Sequence, residues 1–181
     1  MHFKVIQKHD IAEEFIPLSE IQEHCRIFDP HEDGLLEVYR LAAIDVAEQL
    51  TNRAIGVQSV QATFDSYKAR TYLPFGTIRS IASVTAMSDN DIIQLPESDY
   101  RLNPVSNEIV INSKHSKLTE FIVSYEVGYE VSEIPHALKI GMLKLIATWF
   151  ENREDVSNGV SVAEIPFNHQ YCFNLYRINP F

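Results

Sequence analysis

The feature that most constrains this chain is a change in the period of its apolar residues, from helical to strand-like and back. Leu35, Leu36, Tyr39, Ala42, Ala43, Val46 and Leu50 recur at three- and four-residue steps, which lays them along one broad face of a helix. Leu41 and Ile44 fall on the opposite side, beside Glu37 and Glu48. From Val57 the period drops to two: Val60, Ala62 and Phe64 alternate with Gln61, Thr63 and Asp65, the pattern of a half-buried strand. From Pro135 the helical period returns. Leu138, Met142, Leu143, Leu145, Ile146, Ala147, Trp149 and Phe150 cover well over half the circumference. A helix that apolar needs neighbours on more than one side, either in a core or at a subunit contact.

Local signals place the boundaries. Ser19 and Gln22 have the spacing of a capping box and start a short helix ending near Arg26. Asp29 as N-cap and Pro30 at the first helical position open the next, which runs to about Ala54, with Gly56 just beyond. The stretch up to Phe15 has no clear period and reads as an arm. Further strands are expected at Ile81–Met87, Asp99–Asn103, Glu108–Ile111 and Phe121–Val127, separated by turn-forming residues at 74–76, 88–91 and 103–104. Strands this short and close imply antiparallel pairing. The third helix extends to about Arg153, followed by a loop after Asn158 and Gly159 and an aromatic-rich tail.

The expected fold is therefore α+β: a helical bundle with a small antiparallel β insertion between the second and third main helices. Residues 1–181 are expected to form a single domain. Its parts are an arm (1–16), helices (17–56), a β-rich insertion (57–131), a core helix (132–155) and a C-terminal tail (156–181).

Apolar residues make up 45% of the chain and charged residues 22%, enough for a globular core. Fifteen Lys and Arg against 25 Asp and Glu give a net charge of −10, the opposite of what phosphate neutralisation requires. Cys25 and Cys172 lie outside any metal or redox spacing and fit free thiols of a reduced compartment. No basic start followed by an apolar stretch marks a signal peptide. The apolar run around 140–150 is interrupted by Lys144 and falls short of the roughly 20 residues of a membrane span. Synthesis in the cytoplasm of a host cell is expected.

The search for chemistry is negative. Seven histidines, at 2, 9, 24, 31, 115, 136 and 169, form no metal-ligand spacing. His24 and Cys25 are adjacent on a helix, so their side chains diverge by about 100°. Asp29, Glu32 and Asp33 sit at a helix start, where negative charge offsets the macrodipole. Glu13 and Glu14 form another acidic pair. Asp89 and Asp91 flank a turn without the downstream residues of a calcium loop. With six glycines and no phosphate loop, nucleophile elbow or dinucleotide fingerprint, no catalytic residue, metal site or cofactor is expected.

One ordered set of strings resembles a known family. The run from Phe121 to Glu154 carries Tyr125, Gly128 and Tyr129 at a strand end, then Pro135 to Leu138 opening an apolar helix, then Trp149 to Glu154 (Trp-Phe-Glu-Asn-Arg-Glu) closing it. Upstream come Pro17 to Glu20, Cys25 to Ile27, Glu32 and Asp33 before Leu35 and Leu36, and Leu73 and Pro74 ahead of Ile81 to Val84. Together these resemble the head–tail connector (adaptor, head-completion) proteins of long-tailed phages and prophages, over roughly residues 16–155. The resemblance implies a virion protein of the neck, not an enzyme. It would form a homo-oligomeric ring, usually a dodecamer, that docks under the portal, receives downstream neck or tail proteins, and lets DNA pass without specific binding or membrane contact. A stopper, a tail terminator and a small phage enzyme are the alternatives. Within this reading Phe167, Tyr171, Phe173, Tyr176 and Phe181 are the expected portal or neighbour anchors, unless they pack back on their own domain. Leu41, Ile44, Trp149 and Phe150 are the expected subunit contacts.

Overall fold

The computed structural model describes residues 2–27, 29–89, 91–153 and 168–179. They form two compact units, Met1–His9 with Gly56–Glu130, and Asp10–Ile55 with Val131–Phe181.

The first unit is built of strands. These are β1 (His2–Lys8), β2 (Gln58–Ser66), β3 (Arg70–Tyr72), β4 (Ile78–Ser88), β5 (Asp91–Gln94), β6 (Tyr100–Asn103), β7 (Glu108–Ile111) and β8 (Thr119–Val127). One sheet has the order β1-β2-β8-β4-β5 and the other β3-β7-β6, with every pairing antiparallel. Eight strands in two sheets overturn the expected helical bundle with a small β insertion. The α+β class holds, but the sheets dominate. The reason lies in three strands too short or too irregular to announce themselves by period. β3 spans three residues, β5 has three of its four residues exposed, and a bulge between Val5 and Gln7 breaks the alternation of β1.

The alternation at Val60, Ala62 and Phe64 does mark buried positions, and β8 between β2 and β4 buries Phe121, Val123, Tyr125 and Val127 on the same face. Phe64 and Phe121 stack with ring centroids 5.3 Å apart. The Tyr125 hydroxyl donates to the Pro74 carbonyl at 3.3 Å, and burial pushes its pKa up. Gly128 has a φ of +107°, and a Cβ there would sit 2.0 Å from the Gly56 carbonyl oxygen. Glycine is therefore required where β8 leaves the sheet.

Among its described residues the second unit holds five α-helices: α1 (Ala12–Phe15), α2 (Leu18–Cys25), α3 (Asp33–Thr51), α4 (His136–Glu151) and α5 (His169–Asn174). The expected capping box is absent: Pro17 stands at the N-cap of α2, and Gln22 donates instead to the Asp33 carboxylate at 2.7 Å. Asp29 does cap the next turn, accepting from the His31 N–H at 3.0 Å ahead of α3. α3 ends at Thr51, three residues before the expected stop, with Asn52 left-handed at φ 53°. Its buried stripe is Leu36, Arg40, Ala43, Ile44, Ala47 and Thr51. Ile44, expected on the far side, is thus interior, and Leu50, expected inside, is exposed.

Arg40 turns the stripe. Its guanidinium pairs with Glu13 and Glu37 and donates to the Ile16 carbonyl at 3.2 Å, so a cation occupies an interior position. Burial alone pushes its pKa down; the hydrogen bonds and charges of Glu37 and Glu13 outweigh that and hold it above its ordinary value. α4 buries Leu138, Gly141, Met142, Leu143, Leu145 and Ile146. α5 lies so close that a Cβ on Gly141 would meet the Phe173 ring at 2.7 Å and the Cys172 Cβ at 2.9 Å.

Candidate functional site

The constellation nearest to chemistry is Asp99 with Lys114 and His115. A one-turn helix at Glu97–Asp99 leads into β6, and Asn112 caps the turn at Ser113–His115 by accepting from the Lys114 N–H. The Asn112 N–H donates to the Asp99 carbonyl at 2.8 Å, which brings the two turns together. Asp99 is buried, with Lys114 Nζ at 2.6 Å from one carboxylate oxygen and His115 Nε2 at 2.9 Å from the other. The Lys114 and His115 hydrogen bonds hold its pKa below the ordinary carboxylate value. Beside them an open cleft of about 210 Å³ is lined by Ser98 to Arg101 and Val110 to Asn112. Nucleophilic catalysis needs a hydroxyl on the imidazole and the carboxylate behind it. Here the Ser98 hydroxyl reaches the Asp99 carboxylate, at 3.3 Å, and the His115 nitrogen is turned to the same carboxylate. This arrangement clips one turn to the other.

The other singled-out carboxylates also have structural partners. Glu13 holds Arg40, Asp33 receives Gln22, and Glu32 pairs with Arg153 at 2.9 Å. Asp89 sits at a turn with φ 49°. His24 and Cys25 lie on α2, and burial, with Glu151, pushes the Cys25 thiol up. Among the described residues no group of three or more His, Cys, Asp or Glu is placed to hold a metal ion, and no helix is long and apolar enough to cross a membrane.

What the surface offers is apolar area. On the helical unit Val38 and Leu41 are exposed on α3, Ile140 on α4, and Tyr171 and Leu175 on and just after α5. Trp149 is half-buried, its ring 5.8 Å from that of Tyr39, and Phe150 is half-buried under the Arg153 guanidinium at 4.5 Å. Of the expected anchors, Tyr171 faces solvent, Tyr176 is half-buried, and Phe173 is fully buried within its unit. Phe167 and Phe181 lie outside the described residues. The tail is tied down by its backbone: the Ile178 N–H donates to the Thr51 carbonyl at 2.8 Å, and Asn52 and Arg53 donate to the Ile178 and Tyr176 carbonyls.

On the β unit Val105 is exposed in the turn between β6 and β7, and Phe3, Val5 and Ile6 on β1 and Ile92 on β5 are exposed at the two edges of the larger sheet. Sequence periodicity missed these two strands. The available signal was composition, since Phe3, Val5 and Ile6 in β1 and Ile92 and Ile93 in β5 are β-formers.

No protein-family model and no curated protein matches this sequence. Solved structures do match its fold. A chain in the neck of an empty gene transfer agent (GTA) particle, computed with sixfold symmetry, superposes with a TM-score of 0.75 at 18% identity, covering 100% of this chain and 97% of that one. A chain of the native GTA virion gives 0.77 at 18% identity with the same coverage. One in the native GTA neck computed with twelvefold symmetry gives 0.70 at 15% identity, covering 98% of this chain and 97% of that one. At these identities the shared property is the fold.

Proposed function

We propose that this chain is a structural protein of a phage-like virion neck, a head–tail connector subunit rather than an enzyme. In this reading copies of it form a ring, probed first as a dodecamer, beneath the portal. The ring receives the downstream neck or tail proteins and leaves a passage for DNA. The observation that carries the reading is the fold likeness to neck chains across the whole length of both partners. The ordered strings between residues 16 and 155 support it independently. A net charge of −10 suits a conduit that must release phosphates.

The exposed apolar residues of the helical unit supply the docking chemistry. Tyr171 and Leu175 present large side chains next to a buried seat at Phe173, so the tail carries anchors on a fixed base. Leu41 and its neighbour Val38 face solvent on α3, and Trp149 and Phe150 add half-buried aromatic area. Co-sedimentation of the purified chain with its portal ring tests the assignment. The wild type should bind, and a Tyr171→Ser, Leu175→Ser double variant should bind roughly tenfold more weakly while keeping its circular dichroism. A folded double variant that binds like the wild type would remove the tail from the docking surface.

A further inference from the structure

The two edges of the larger sheet differ in charge and agree in apolar exposure. All seven residues of β1 are exposed, and its outer edge pairs with no strand among the described residues. β5 ends the sheet on the other side in the same way. The first nine residues hold Lys4 and Lys8 and no acid, whereas the stretch from 88 to 97 around β5 holds Asp89, Asp91 and Glu97 and no Lys or Arg. Phe3 is 57% exposed and Val5 40%, although both stand opposite buried residues, Ala62 and Val60. Directly opposed residues share a face, so the apolar face of the sheet runs on past its own core. At the far edge Ile92 is 71% exposed on the other face, the one that carries Gln61 and Met87.

An exposed edge of this kind is a template for another strand. Pairing β1 with β1 of a second copy would bring Lys4 and Lys8 of both copies together, and β5 with β5 would oppose the aspartates. Like charges opposed across a strand pair are destabilising. The mixed pairing joins cationic to anionic edge. It is also heterologous, the type of contact that closes into rings. Strand directions alternate along the sheet, so β1 and β5, four places apart, run the same way and would meet in parallel.

We infer that β5 of one copy adds to β1 of the next, so that the side-to-side contact of the assembly is a continued sheet with a second copy of this chain as the partner. The inference rests on the ring reading above and names its contact.

The register places Lys4 and Ile92 on one face, opposite Gln61 and Met87 respectively, so cysteines at the two positions would stand on the same side of a β5–β1 pair. In the full chain with Cys25→Ser, the Lys4→Cys, Ile92→Cys double variant is oxidised with and without the portal ring, next to each single variant. The double variant should give a ladder of covalent oligomers, and neither single variant should give more than monomer. A dimer from Lys4→Cys alone would overturn the inference in favour of β1 on β1. Rings on the portal without a ladder would overturn this contact and leave the connector reading standing. A ladder from a chain that ignores the portal would keep the contact and remove the connector reading. Absence of any assembly would overturn both. Charge gives a second readout: Lys4→Glu with Lys8→Glu should weaken assembly roughly tenfold, and adding Asp91→Lys should restore most of it. Failure of that rescue, with the protein folded, would count against opposed charges as the basis of the pairing.

Discussion

The β unit and the helical unit bury their apolar cores by different means, and the difference decides where each is vulnerable. In the β unit the interior follows from alternation: Val60, Ala62 and Phe64 on β2 meet Phe121, Val123 and Tyr125 on β8. In the helical unit the interior is steered by two local contacts, the Arg40 ion pairs and the approach of Gly141 to Phe173. A sheet core of this kind is expected to yield to volume changes, and the helical core to the loss of single polar or steric arrangements.

The largest expected effect is in the sheet. Phe121→Ala removes a fully buried ring stacked on Phe64 and should cost about 3–5 kcal/mol in denaturant unfolding. A loss below about 1 kcal/mol would mean that the sheet core is not the anchor of its unit.

Next comes a pair of variants around Arg40. Glu13→Gln with Glu37→Gln leaves a buried guanidinium with little compensation and should cost about 3 kcal/mol. Arg40→Met keeps the volume and removes the charge, and should stay within about 1 kcal/mol of the wild type. The reverse order would show that the charge itself, and not its neutralisation, stabilises α3.

Gly141→Ala is expected to cost about 1–3 kcal/mol, since the added methyl meets Phe173 and Cys172 below 3.0 Å. Hydrogen exchange should show the loosening at α5 and leave β8 protected. Equal loosening in both places would erase the distinction between the units.

The smallest effect is in acid, where the units should part by pH. Burial holds the His169 pKa below 6.5, so its contribution is complete above that value and is lost as the pH falls through the lower folded one. The Lys114 and His115 bonds hold Asp99 below 3.8, so its contribution is complete above 3.8 and is lost only as the pH falls further. Exchange measured down a pH series should therefore loosen α5 before the 97–115 region. Simultaneous loosening would contradict this ordering.

Much of the chain was legible because the period of burial matched the period of the element. β7 forms at Glu108–Ile111 as alternation requires, and α4 starts after Pro135. The bundle expectation failed where period carries no information. The bulge after Val5 puts Ile6 out of step, β3 is only three residues long, and three of the four residues of β5 are exposed, so no alternation of burial marks it. Ile44 and Leu50 exchanged places because a buried arginine is invisible to an apolar count until Glu13, far off in sequence, is seen to meet it. The expected interface and docking residues divide in the same way. Leu41 and Tyr171 are exposed, while Ile44 and Phe173 are interior, since a helix face read from sequence does not say which neighbour will cover it.

The most direct test of the connector reading is negative-stain imaging of the portal ring from the same particle, with and without this protein. The account predicts an added ring beneath the portal, with a rotational symmetry that matches it. An unchanged portal image, with both proteins folded and mixed in excess, would contradict it.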